Sequence, residues 1–436
     1  CRLVSKPHIV YNEVELMMSP TLDALLLYAL SIPIVMQYRL LPIDGTPYWL
    51  FGILFIVLTT NVVISGYPNI LGVWKKHLDR IKDLLLVVVL GIVLVGVMGT
   101  AIVDRARTAP VYGVHDIILQ QEAAMRLLLV GKNPYKETYF GTQVESFNYD
   151  EPGDTEAVNP ALYHFVMPPW YLLFPFSFYY SVRPVVGYFD GRFVSLFCMI
   201  GLLFVIRLWF KHPAVGRTAI ILSALSPAVF DYFIEGRSDV FAFFWLVFSL
   251  FLLERKKYLW SSIVAALAFM SKQTTWFVFP FYIIYMWASV HASYKRIVPA
   301  LVVIASVVTL LALPFMIWDS TAFLNSVIFY LSGNAPHSYP VSGYGLSMVL
   351  KEMGVIGDIH AYYPFAIWQA VFGIPALVGL AMWLRKAPSM SKLFIAYGVL
   401  LTIIWYTSRY FNNSHLGYIS MIFVLGLAKD ADEQTV

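Results

Sequence analysis

Asp116 heads the stretch of this chain best equipped for acid–base chemistry. His115 precedes it, and Gln120, Glu122 and Arg126 follow within a helical pattern from Ile117 to Val130. Gly131-Lys132-Asn133-Pro134-Tyr135 closes the stretch. A carboxylate at a membrane surface can accept the proton of an attacking hydroxyl. The same residue at the head of a helix can serve as a cap. A capping box would want Glu or Gln at position 119, where Leu119 stands. Both roles for Asp116 stay open. Glu122 and Arg126 have the spacing of a surface ion pair.

Basic residues at the ends of apolar runs form a second set: Arg192, Arg237, Lys272 and Arg409. Lys272 is the most telling. About fifteen residues separate it from Arg255-Lys256-Lys257, roughly 23 Å at helical rise, against a hydrocarbon layer of roughly 30 Å. A lysine held below the surface costs on the order of 3 kcal/mol, so a partner is expected. A lipid phosphate fits that role; snorkelling to the interface is the alternative. Asp231, Glu235, Gly236, Arg237, Ser238 and Asp239 form a charged turn, either self-neutralised or functional. His337 and His415 lie in polar segments where a histidine can assist proton transfer or bind sugar hydroxyls. No cofactor is expected. Asp116 and Asp239 can share a divalent cation only if the fold brings them together.

The elements that must position these groups are membrane helices. Of the 436 residues, 59% are apolar and 13% charged, about half the charge of a soluble domain. Mean hydropathy is +0.70. The pattern predicts an all-α polytopic membrane protein with about twelve spans. They are 21–41, 46–65, 84–103, 191–210, 217–234, 239–254, 258–272, 275–290, 297–318, 364–384, 393–410 and 416–429. The connections bearing Lys75-Lys76, Lys211, Arg255-Lys256-Lys257, Lys295-Arg296 and Arg385-Lys386 all fall on one side. The positive-inside rule makes that side, and both termini, cytoplasmic. Lys272, Arg192 and Arg237 then lie outside, against the trend.

Residues 161–180 are apolar enough to span. As a span they would put every later basic cluster outside. They also carry Pro168, Pro169 and Pro175 among many aromatics, and so read as a segment lying in the outer interface, with juxtamembrane helices on that face. The chain divides into a two-helix extension (1–83), a module (84–318) containing the outer loop 104–190, and a second outer loop with C-terminal helices (319–436). Two cysteines, Cys1 and Cys198, make no disulfide framework. Cys198 reads as inert packing. Cys1, without an initiator methionine before it, reads as the start of a truncated record, or as a lipoprotein cysteine. No cleavable signal peptide is visible, and the net charge of +4 gives no case for nucleic acid.

Taken in order, these residues resemble the GT-C superfamily of integral-membrane glycosyltransferases, nearest to its polyprenyl-phosphate-sugar-dependent, mannosyltransferase-like families 39 and 87. The landmarks are Asp116, Glu122-Ala123, Gly131-Lys132-Asn133-Pro134-Tyr135, Met167-Pro168-Pro169, Asp190-Gly191-Arg192 to Ser195, Gly236-Arg237-Ser238-Asp239, and a small-residue helix ending at Lys272. The likeness covers roughly 84–290. It implies a multi-pass enzyme of the cell membrane with its active site on the outer face. Asp116 would be the general base, with His337 assisting. Lys272, Arg192 and Arg237 would hold the donor phosphate. Glu122, Tyr135, Asp239 and His415 would contact substrate. The partners implied are a polyprenyl-phosphate sugar donor, a lipid, glycan or protein acceptor, and membrane lipids. Two helices precede the module here, and Gln120 stands where an aromatic is expected. A secondary transporter, or a polymerase or ligase of lipid-linked oligosaccharides, remains the alternative; the loop 319–363 suits the latter.

Overall fold

A computed structural model describes residues 21–38, 47–109, 111–149, 158–290 and 293–434. Cys1 lies outside them. The described residues are mostly helical, with one two-stranded parallel pair among them. Helices α1 (Leu22–Tyr38) and α2 (Tyr48–Gly66) lead through a 3-10 segment, Pro68–His77, to α3 (Leu78–Leu90). A π-helical stretch, Gly91–Gly96, joins α3 to α4 (Val97–Arg107). Then come α5 (Asp116–Leu129), α6 (Pro169–Leu173), α7 (Pro175–Val186) and α8 (Arg192–Trp209). α9 (Pro213–Leu225) and α10 (Pro227–Ile234) are followed by α11 (Asp239–Glu254), α12 (Tyr258–Phe269) and α13 (Phe279–Ser289). The last third holds α14 (Tyr294–Leu324), α15 (Tyr330–Ser332), α16 (Leu346–Glu352), α17 (Phe365–Lys386), α18 (Met390–Tyr406) and α19 (Asn413–Gln434). Strand β1 (Ser342–Gly343) pairs with β2 (Tyr410–Phe411).

Helix lies over each of the twelve expected spans. Among the described residues, five helices are long and apolar enough to cross a membrane, or six if the bent pair α9–α10 counts as one. The chain is a multi-pass membrane protein. The count falls short of twelve because several apolar segments make helices too short or too interrupted to qualify, such as α12 with 12 residues. The 52° bend between α9 and α10 follows from Pro227, which has no N–H to continue the ladder. Residues 161–180 form no spanning helix. Pro169 and Pro175 each start a new short one, α6 of five residues and α7 of 12.

One apolar core runs from Leu27 to Ala431. α11 sits at its centre, packed against α8 and α12, while α19 packs against α9, α10 and α18. α11 can be buried on nearly every side because its sequence, Val-Phe-Ala-Phe-Phe-Trp-Leu-Val-Phe from Val240, offers no polar face. At the end of the bundle opposite the loops, Asp23 accepts from Lys82 and Arg217 at 2.5 Å each. A buried carboxylate between two cations ties α1 to α3 and α9.

Candidate active site

The start of α5 meets the turn after α10. The His115 N–H donates to the Glu235 carbonyl at 2.9 Å. Gly236 follows with φ +83°, and a Cβ there would lie 2.5 Å from Ile118 and 2.8 Å from Arg192. Only glycine allows both that backbone and that approach. The contact brings the Asp116 end of α5 beside Arg237 and Asp239. Between them lies a cavity of about 530 Å³ lined by His115, Asp116, Gln120, Arg237, Asp239, Lys272 and His415, among others. Residues far apart in the chain, from all four groups singled out in the sequence, thus share one chamber.

Both carboxylate oxygens of Asp116 are held. His115 Nδ1 lies 2.6 Å from Oδ1. Asn159 Nδ2 donates to Oδ2 at 3.0 Å. Burial alone would raise the Asp116 carboxyl. The His115 charge and hydrogen bond, Asn159 and Arg237 outweigh it and hold the group at about 2. Asp116 is therefore an ionised carboxylate in fixed orientation, still 17% exposed to the cavity.

Lys272 follows α12 in extended backbone. Lys272 does have a partner, and in the structure it is a carboxylate: Asp239, the first residue of α11, at 2.6 Å. Arg237 bonds Glu235 at 3.1 Å and lies over the Tyr232 ring at 4.5 Å. Each cation is thus paired on one side and faces the cavity on another. His415 heads α19 among Trp405, Tyr410 and Phe411. Its Nδ1 accepts the Asn412 N–H at 2.9 Å. Burial first, then the Lys272 charge, push the imidazole down to about 3. His415 is neutral, and with Nδ1 accepting, its Nε2 carries the proton.

The other expected residues sit differently. Arg192 is fully buried and bonds Asp190 and the carbonyls of Ala101, Gly113 and Ile234. It does not line the cavity, and no N–H is directed there for a phosphate. Glu122 is buried, not half of a surface pair. Arg105 grips it at 2.8 and 2.9 Å, and Arg126 reaches it only at 3.6 Å. Tyr135 is packed between Phe165, Phe315 and Phe323, its hydroxyl donating to the Met167 carbonyl. His337 is exposed and stacks on Tyr163, ring centroids 3.8 Å apart, away from the cavity lining. Arg192, Glu122 and Tyr135 brace the walls. Asp116 and Asp239 do face one cavity, yet among the described residues no three His, Cys, Asp or Glu side chains group as a metal site would need.

Several groups at the site escaped the sequence. Asn159 sits 43 residues from the carboxylate it orients. Tyr149, Tyr232, Tyr330, Tyr339 and Tyr410 give the chamber aromatic walls, the surface a sugar ring stacks on. Arg409, already singled out in the sequence, lies behind the lining and positions the second loop by donating to the carbonyls of Tyr339, Ile359 and Ala361. Nothing in a chain with 28 tyrosines distinguishes these five.

The family model for glycosyltransferase family 87 matches residues 165–407. The match takes in Arg192, Arg237, Asp239, Lys272 and His337 and leaves Asp116 and His415 outside. No curated protein matches the chain. The matched range is more than half of the sequence, so the chain belongs to glycosyltransferase family 87 and is a membrane glycosyltransferase of the GT-C type.

Proposed function

We propose, from that membership, that the protein moves a sugar from a polyprenyl-phosphate donor to a hydroxyl of a lipid, glycan or protein acceptor at the outer face of the membrane. The observation that carries the reading is one cavity lined by both Asp116 and Lys272. The acceptor oxygen attacks the anomeric carbon, its proton passes to the Asp116 carboxylate, and the bond from that carbon to the phosphate oxygen breaks. The polyprenyl phosphate leaves with the bonding pair. Lys272 keeps N–H groups beyond the one Asp239 takes, and Arg237 stands beside it. Together they bind the phosphate and stabilise the charge that grows on it. The His415 Nε2–H donates to a sugar hydroxyl, and the tyrosines stack on the ring. With His115 and Asn159 occupying its oxygens from the side, Asp116 is oriented before the substrate arrives, which lowers the entropy lost on reaching the transition state.

One base and a good leaving group suffice for a single displacement, so the product anomer is inverted. NMR of the glycoside made from a donor of known configuration reads this directly. An inverted linkage supports the reading; a retained one means a covalent or front-face route and removes Asp116 from the role of sole base.

A further inference from the structure

A second cavity, of about 230 Å³, lies between α5 and α7 and shares no lining residue with the first. Its walls include Glu122, Arg126 and Leu129 from α5, Tyr179 and Arg183 from α7, and Phe189. The Glu122 carboxylate is taken by Arg105 and the Gly191 N–H. Arg183 lies over the Tyr179 ring at 4.9 Å and donates to its hydroxyl. Arg126 is 55% exposed, with Glu122 at 3.6 Å as its nearest carboxylate. The cavity therefore offers two guanidinium groups against one carboxylate that is already neutralised. Leu129, Val130, Tyr180, Val185 and Val186 are exposed on the same two helices. Phe189 lies three residues before α8, which is long and apolar enough to cross the membrane. The cavity thus lies beside the start of a helix able to span the membrane.

We propose that this cavity holds the phosphate of an anionic membrane phospholipid. Arg126 and Arg183 share its oxygens through charge-assisted bonds. The acyl chains run along Leu129, Val130, Val185 and Val186, so the apolar exposure of both helices is covered by lipid. The occupant is not the sugar donor, because a phosphate here is separated from the cavity that Asp116 lines. The bound lipid clamps α7 to the C-terminal half of α5, the helix that Asp116 begins.

Native mass spectrometry of the full chain, released from nanodiscs of phosphatidylcholine with phosphatidylglycerol, tests this without reference to turnover or donor. The wild type is expected to retain phosphatidylglycerol and to unfold at higher temperature when it is present. The R126Q/R183Q double variant is expected to lose at least about tenfold in retained lipid and to show no thermal shift. Both arginines are largely exposed, so the variant should fold; its unfolding temperature in phosphatidylcholine alone, matching wild type, checks that. Equal retention by variant and wild type, equal retention of phosphatidylcholine, or displacement of the lipid by added polyprenyl phosphate would overturn the proposal.

Discussion

Asp116→Asn lowers the turnover of sugar transfer by between about 10² and 10⁴, the contribution of a positioned general base, while donor affinity stays near wild type. The substitution keeps the size of the side chain but removes the site that takes the proton. Lys272 and Arg237 are untouched, so the loss falls on turnover rather than on donor binding. Rate loss with unchanged donor affinity, read in single-turnover experiments, separates this role from a structural one. An Asn variant turning over at the wild-type rate would remove the residue from the chemistry.

The pH behaviour follows from the same carboxylate. Its pKa lies at about 2 against the ordinary 3.8, so it is ionised at every pH between 5 and 8. The stability it lends is present above 3.8 and is lost as pH falls toward 2. Asp116 therefore contributes no acid limb to the rate above about pH 5. A group with so low a pKa is a weak base. It takes the proton late, once attack on the anomeric carbon has made the hydroxyl acidic.

Lys272→Met should abolish transfer and also destabilise the protein. It leaves Asp239, 9% exposed, as an uncompensated carboxylate, a loss on the order of 3–5 kcal/mol for a buried pair and less here, where solvent reaches both partners. The informative protein is the double variant Lys272→Met with Asp239→Asn. Removing both charges restores the unfolding temperature toward wild type. Donor affinity does not return, and stays weaker by at least about thirtyfold. If the double variant regains donor binding along with stability, Lys272 is a structural partner of Asp239 and the phosphate is held elsewhere.

Much of the helical frame was legible because an apolar chain has few ways to satisfy its backbone in lipid. Pro168, Pro169 and Pro175 marked 161–180 as non-spanning for a local reason that holds in the structure. The number of crossings was less legible, since hydropathy counts every apolar segment and does not tell a full crossing from a short helix such as α12. Asp116, Asp239, Lys272, Arg237 and His415 stood out as titratable groups, rare in so apolar a chain, and all five line one cavity. The same rarity singled out Arg192, yet charge in a sequence does not tell a cation facing a cavity from one saturated by a neighbouring carboxylate and three carbonyls. Glu122 was legible only in part. The i to i+4 rule found Arg126, which does reach it at 3.6 Å, but not the burial or the tighter partner, Arg105, 17 residues away. His115 was adjacent to Asp116 and named with it, but only the structure gives their contact.

The account stands or falls on the donor. Purified protein in liposomes should be offered a radiolabelled polyprenyl-monophosphate sugar, a diphosphate-linked glycan and a nucleotide sugar in turn, with label followed into product and lipid. The reading here predicts that the monophosphate donor alone is consumed, with one free polyprenyl phosphate released for each sugar joined to the acceptor. Transfer from the nucleotide sugar or the diphosphate-linked glycan, or label that crosses the bilayer with no bond made, would contradict it.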